Sequence, residues 1–136
     1  MAGGGASHDP ASIVGLDHVQ VAAPPGCEEE ARAFYGRIVG LREIVKPDAL
    51  RGRGGVWFAC GGQQLHIGAD PGFTAAAKAH PAFAVASEVG VDVLAERLTS
   101  AGVELTWDDA LPGVRRFFAA DPWGNRLEFL WGDASA

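Results

Sequence analysis

The chain repeats itself. Residues 62 positions apart match in kind: Gly40-Leu41 with Gly102-Val103, Leu65-His66-Ile67 with Leu127-Glu128-Phe129, and His18 with His80. An internal repeat of this size points to one supersecondary unit used twice, each copy burying the other's apolar face. It constrains the fold more than any motif does, because the elements of one half must recur in the same order in the other.

In the first half, a segment opening at Gly15 alternates polar and apolar residues from Asp17 to Ala22, the period of a half-buried strand. Pro24-Pro25-Gly26 breaks it. Glu28, Glu29 and Glu30 then complement the positive end of a helix dipole. Ala31, Phe34, Tyr35 and Ile38 continue as one apolar stripe, and Gly40 is placed to stop the helix in the left-handed conformation. Leu41 to Val45 predicts a strand and 47–54 a loop; Val56 to Cys60 and Gln63 to Ile67 form a hairpin about Gly61-Gly62. The second half predicts a strand at His80 to Val85 and a helix carrying Val91, Leu94, Ala95, Leu98 and Ala101, stopped by Gly102. A strand at Val103 to Trp107 follows, then a closing hairpin of Val114 to Ala120 and Asn125 to Trp131. Each half reads βαβββ, so the fold class is α+β. The predicted organisation is a flexible leader over 1–12, one domain over 13–131 built of modules 13–70 and 79–131, and a tail over 132–136.

Composition narrows the partners. Eleven basic against seventeen acidic side chains leave a net charge of −6, without the clustered positive charge that a nucleic-acid surface needs. No apolar run approaches the ~20 residues of a membrane span. The start has neither a basic nor an apolar stretch of the secretory kind, and Cys27 and Cys60 form no disulfide framework. The expectation is a cytoplasmic protein with two reduced thiols and no membrane or nucleic-acid partner.

Strand parity locates the chemistry, since side chains alternate faces. His18 and Gln20 share one face of the first strand, Gln64 and His66 one face of the fourth, and Glu128 lies opposite Leu127 and Phe129 on the eighth. The repeat therefore puts His18, His66, His80 and Glu128 on equivalent strands. His8 falls in the leader, where a solvated histidine does nothing. Singly, such residues are ordinary solvated side chains. Together they form a set of neutral imidazoles and one carboxylate that suits Zn, Fe, Mn, Ni or Co. Glu128 doubles as the candidate general base. Hairpin pairing adds pocket candidates. Pairing Cys60 with Gln63 sets Trp57 beside His66; pairing Ala120 with Asn125 sets Phe117 beside Glu128 and Arg115 beside Leu130. In this register Trp57 and Phe117 wall an apolar pocket, Arg115 meets an anionic substrate, and Gln20 and Gln64 orient the ligands. The 70–79 segment either lies over the cavity mouth or only joins the modules.

Three stretches carry a resemblance: Leu16-Asp-His-Val-Gln-Val21, Ala33-Phe-Tyr-Gly with Val39-Gly-Leu41, and Asp121-Pro-Trp-Gly-Asn-Arg-Leu-Glu-Phe129. Over residues 13–131 the chain resembles the vicinal oxygen chelate superfamily of glyoxalases, bleomycin-resistance proteins and extradiol dioxygenases. The resemblance implies two βαβββ modules forming a curved mixed sheet around a central cavity, and a divalent metal held by His18, His80 and Glu128. It also implies a small-molecule substrate bound through vicinal oxygens and a homodimer whose site lies within one chain or across two. His66 stands at a fourth-strand position that glyoxalase I enzymes fill with glutamate, which leaves one carboxylate where that chemistry draws on two. The set of two histidines and one glutamate is that of the extradiol dioxygenases. Lyase, isomerase and dioxygenase chemistry all stay open, as does metal-free sequestration of a small molecule in the manner of bleomycin-resistance proteins.

Overall fold

The computed structural model describes residues 9–133; His8, most of the leader and the last three residues of the tail lie outside them. The first module contains β1 (His18–Ala23), α1 (Glu28–Ala31), β2 (Arg42–Ile44), β3 (Val56–Cys60) and β4 (Gln63–Ala69). The second contains β5 (Ala82–Ala84), α2 (Glu88–Ser100), β6 (Thr106–Asp108), β7 (Val114–Ala120) and β8 (Arg126–Gly132). Each module makes a four-stranded mixed sheet, in the orders β1-β4-β3-β2 and β5-β8-β7-β6. The first strand of each runs parallel to the fourth, and the remaining pairs are antiparallel. The repeat is written into the register: Gln20 faces His66 in one sheet, and Ala82 faces Glu128 in the other.

Local chemistry explains the boundaries. Gly40 and Gly102 both stop their helices at positive φ, +94° and +85°, where a Cβ would be strained. The helix after β1 is not uniformly α-helical. It widens into a π-helical stretch over Arg32–Ile38, with the Val39 N–H donating to the Phe34 carbonyl at 2.9 Å. The wider turn buries the neighbouring rings of Phe34 and Tyr35 together. The predicted 47–54 loop holds a 3₁₀ turn, Asp48–Arg53. Helix α2 starts before its apolar pattern because the Ser87 hydroxyl accepts the Gly90 N–H at 3.0 Å as an N-cap.

Two expectations are corrected. Strand β5 covers only Ala82–Ala84, so His80 precedes the strand. Pro81 has no N–H to give the ladder, and its carbonyl accepts the Glu128 N–H instead. The second hairpin pairs Ala120 with Arg126, one residue later than expected, so Phe118 and not Phe117 faces Glu128, and Arg115 faces Trp131. The cause is the Asp121 carboxylate, which accepts the Trp123 and Asn125 N–H groups at 3.0 and 2.9 Å and holds Asn125 in the loop.

One apolar cluster draws on both modules, with Tyr35, Phe58, Leu65 and Ile67 from the first and Val91, Leu98, Phe117, Leu127 and Phe129 from the second. A buried polar seam also crosses between them. The Tyr35 hydroxyl donates to Asp121 Oδ2 at 2.7 Å, the Asn125 side-chain amide donates to the Ala22 carbonyl at 2.8 Å, and Ala76 N–H donates to Asn125 Oδ1 at 3.1 Å. Cys27 and Cys60 are both free, and burial pushes both thiols up, away from thiolate reactivity. Among the described residues no helix is long and apolar enough to cross a membrane.

Candidate functional site

In each sheet the face turned from the helices carries the polar side chains. On the first module His18 and His66 stack, with ring centroids 4.2 Å apart and planes 17° from parallel. Trp57 stacks on the other side of His66 at 3.7 Å and 3°, as its β3–β4 register partner. Hydrogen bonds orient both imidazoles. His18 Nδ1 lies 2.9 Å from Asp17 Oδ1, and His66 Nε2 lies 2.8 Å from Gln64 Oε1. Both partners are acceptors, so each ring donates there, and in its neutral form the lone pair lies on the other nitrogen. Burial, then the nearby His18, lowers the His66 pKa and favours the neutral imidazole that a metal requires. Gln20 faces His66 from β1 and lies over Gly68, where a Cβ would strike its amide.

The second module brings His80 and Glu128 together. His80 Nδ1 is 2.9 Å from the Lys78 carbonyl and its Nε2 is 3.0 Å from Glu128 Oε1. Two atoms each ~2.0–2.2 Å from one ion would stand about that far apart, so this pair can share a proton or, in its place, a divalent cation. The other Glu128 oxygen faces Arg116 Nη1 at 3.2 Å, and Arg116 Nη2 reaches Asp108 at 3.3 Å. Glu128 and His66 are only 6% and 4% exposed, which makes them buried polar groups held by specific partners.

The site differs from the sequence reading in two ways. Phe117 is fully buried in the core against Phe129. Arg115 lies on the opposite face, paired with Asp92 at 2.6 Å and stacked over Trp107 at 4.2 Å. Their places beside Glu128 belong to Phe118 and Arg116, with Arg126 stacked over Phe118 at 4.2 Å. Parity conceals these three unless the loop is counted as five residues, which the Asp121 and Asn125 side chains dictate. In addition, the four candidate ligands form two pairs. Among the described residues no group of three or more His, Cys, Asp or Glu gathers within the chain.

A cleft of about 790 Å³ opens between the β1 and β5 edges, within the size range of small-molecule sites. It touches His18, Gln20, Gln64, His80 and Arg126, and Thr74, Ala76 and Ala79 of the connecting segment form part of its wall. The 70–79 segment therefore does more than join the modules.

Paired βαβββ modules, each closing on a four-stranded mixed sheet with the first strand parallel to the fourth, define the class of this fold. The chain belongs to the Glyoxalase/Bleomycin resistance protein/Dioxygenase superfamily, whose model matches residues 15–129. A glyoxalase family protein of Bacillus anthracis is similar at 50% identity, with 92% of this chain and 100% of that one covered and a TM-score of 0.85. The lactoylglutathione lyase of Agrobacterium tumefaciens shares the fold at 22% identity, 91% and 96% coverage and a TM-score of 0.67. The fosfomycin resistance protein FosX of Listeria monocytogenes shares it at 23% identity, 90% and 96% coverage and a TM-score of 0.73. Comparison with curated proteins finds no match.

Proposed function

We propose that this chain is a divalent-metal-dependent enzyme of the superfamily, acting on a small substrate through two vicinal oxygens, with His18, His66, His80 and Glu128 as the metal-binding set. The observation that carries this reading is the preparation of the two pairs. A hydrogen bond fixes one nitrogen of His18 and of His66, which leaves the other nitrogen of each neutral ring for a metal, and His80 Nε2 and Glu128 Oε1 stand 3.0 Å apart. Zn, Fe, Mn, Ni and Co all suit such donors. Because the pairs sit apart within one chain, we assign the complete centre to a homodimer in which the His18–His66 pair of one copy meets the His80–Glu128 pair of the other.

A bound divalent ion would act as a Lewis acid on adjacent substrate oxygens. The chain's own contribution is positional. Trp57 holds the His66 ring in place, Gln64 sets its rotation, and Arg116 anchors one Glu128 oxygen while the other lies 3.0 Å from His80 Nε2. Glu128 is the group placed to take a proton from an activated substrate carbon or oxygen and return it. These roles serve lyase, isomerase and dioxygenase reactions alike.

Elemental analysis and native mass measurement on protein purified without an affinity tag test the reading together. The expected result is about one divalent ion per chain on a species of twice the chain mass. A chain that takes up no stoichiometric ion, even after reconstitution, overturns it. One observation favours metal-free sequestration as the second reading: both Glu128 oxygens already have partners in the chain, and the Trp57–His66–His18 stack offers a flat aromatic face. A tryptophan fluorescence response to aromatic ligands that is indifferent to metal would select it.

A further inference from the structure

We propose that the substrate is an organic carboxylate with an apolar body, and that Arg126 is the residue that pairs with its charge. The proposal takes its reaction chemistry from the metal-dependent reading above, but the binding argument stands on the cleft. In a chain of net charge −6, no aspartate or glutamate among the described residues lines that cleft. Among the described residues Arg126 is the one formally charged residue on its lining, alongside His18 and His80.

Arg126 opens β8 two residues before Glu128, so both side chains rise from the same face of the sheet. Its guanidinium lies 4.2 Å over the Phe118 ring, which holds the long side chain in place. The two acids of that face, Asp108 and Glu128, are both taken by Arg116, at 3.3 and 3.2 Å. That leaves Arg126 without a carboxylate in ion-pair range among the described residues. Arg116 Nε, in the same cluster, is buried without an acceptor. Asp108 lies near enough to feel the Arg126 charge but does not bond to it, so the guanidinium donors stay open, and their planar fork matches a carboxylate with two parallel hydrogen bonds. The walls contributed by Val19, Ala82 and Phe83 set the rest of the ligand. They favour hydrocarbon or aromatic bulk over further charge.

Mandelate, a 2-hydroxy acid with an aromatic body, and its uncharged amide test this directly. Each is titrated into the full chain, first freed of metal and then loaded with zinc, and followed by tryptophan fluorescence. Wild type is expected to prefer the acid by about tenfold or more. Arg126→Gln is expected to erase that preference and Arg126→Lys to keep most of it. No detectable acid binding, equal affinity of wild type for acid and amide, or a preference that survives in Arg126→Gln overturns the proposal. Should Arg126→Gln fail to unfold cooperatively, Arg126→Met takes its place in the metal-free titration, with the same loss of preference expected and the same survival of it overturning the proposal. The two readings fail separately. Loss of zinc binding with an intact acid preference removes the metal centre and leaves Arg126 its role; zinc binding without the preference does the reverse.

Discussion

Glu28 carries the first turn of α1 and also reaches across to the loop before β3, where its Oε2 accepts the Gly55 N–H at 2.6 Å. Gly55 has φ +87°, and a Cβ there would strike the Ile67 carbonyl, so the backbone approach that Glu28 secures is open only to glycine. The hydrogen bond from Gly55 is the main cause of a lowered Glu28 pKa. The sign of the pH dependence follows. The unfolded chain binds the proton more readily, so this carboxylate stabilises the fold above the ordinary glutamate value of about 4.3. That stability is lost as pH falls through the lowered folded value. In urea unfolding, wild type is expected to exceed Glu28→Gln in stability at pH 6, with the gap closing toward pH 3 (roughly the span in which glutamates titrate). A gap that is constant with pH would show that ionisation of this carboxylate contributes nothing to stability.

At the level of elements, legibility followed the reach of the forces involved. Helix ends were readable because Gly40 and Gly102 answer a strictly local demand for positive φ. The first hairpin was readable because its two-residue glycine turn fixes the register, and Trp57 does face His66. The second hairpin was not, because a side chain sets its loop: Asp121 gathers Trp123, Asn125 and Tyr35 and shifts the pairing by one residue. That shift exchanged Phe117 and Arg115 for Phe118 and Arg116 on the site face. The same carboxylate therefore sets the register of β8 and ties it to the first module. Burial, then the Asp121 charge, raises the Tyr35 pKa, which keeps the phenol a donor. Tyr35→Phe is expected to destabilise the protein by about 1.5–3 kcal/mol, the range for a hydrogen bond to a charged group. Denaturant unfolding checks it. A loss below about 0.5 kcal/mol would mean that the Asn125 side-chain amide and the two backbone donors satisfy Asp121 without the phenol.

At the scale of the whole molecule, the repeat was legible and the grouping of its two halves was not. Sequence put His18, His66, His80 and Glu128 on equivalent strands, but which sheet faces which is decided by packing between modules. Within the chain that packing keeps the His18–His66 pair apart from the His80–Glu128 pair. If a second copy completes the centre, damage to the halves must complement in trans. Consider one variant carrying His18→Ala and His66→Ala, and another carrying His80→Ala and Glu128→Ala. Neither alone can assemble all four ligands in any arrangement. Unfolded and refolded together at equal amounts, they should form mixed dimers, each with one centre built from two intact halves and one from two damaged halves. Random pairing then gives about one restored zinc site per four chains, as expected for two-fold symmetry. A centre closed within a single chain gives no restored site at any ratio, because every chain lacks one half. Zinc titration of the refolded mixture, set against each variant refolded alone, separates the two arrangements.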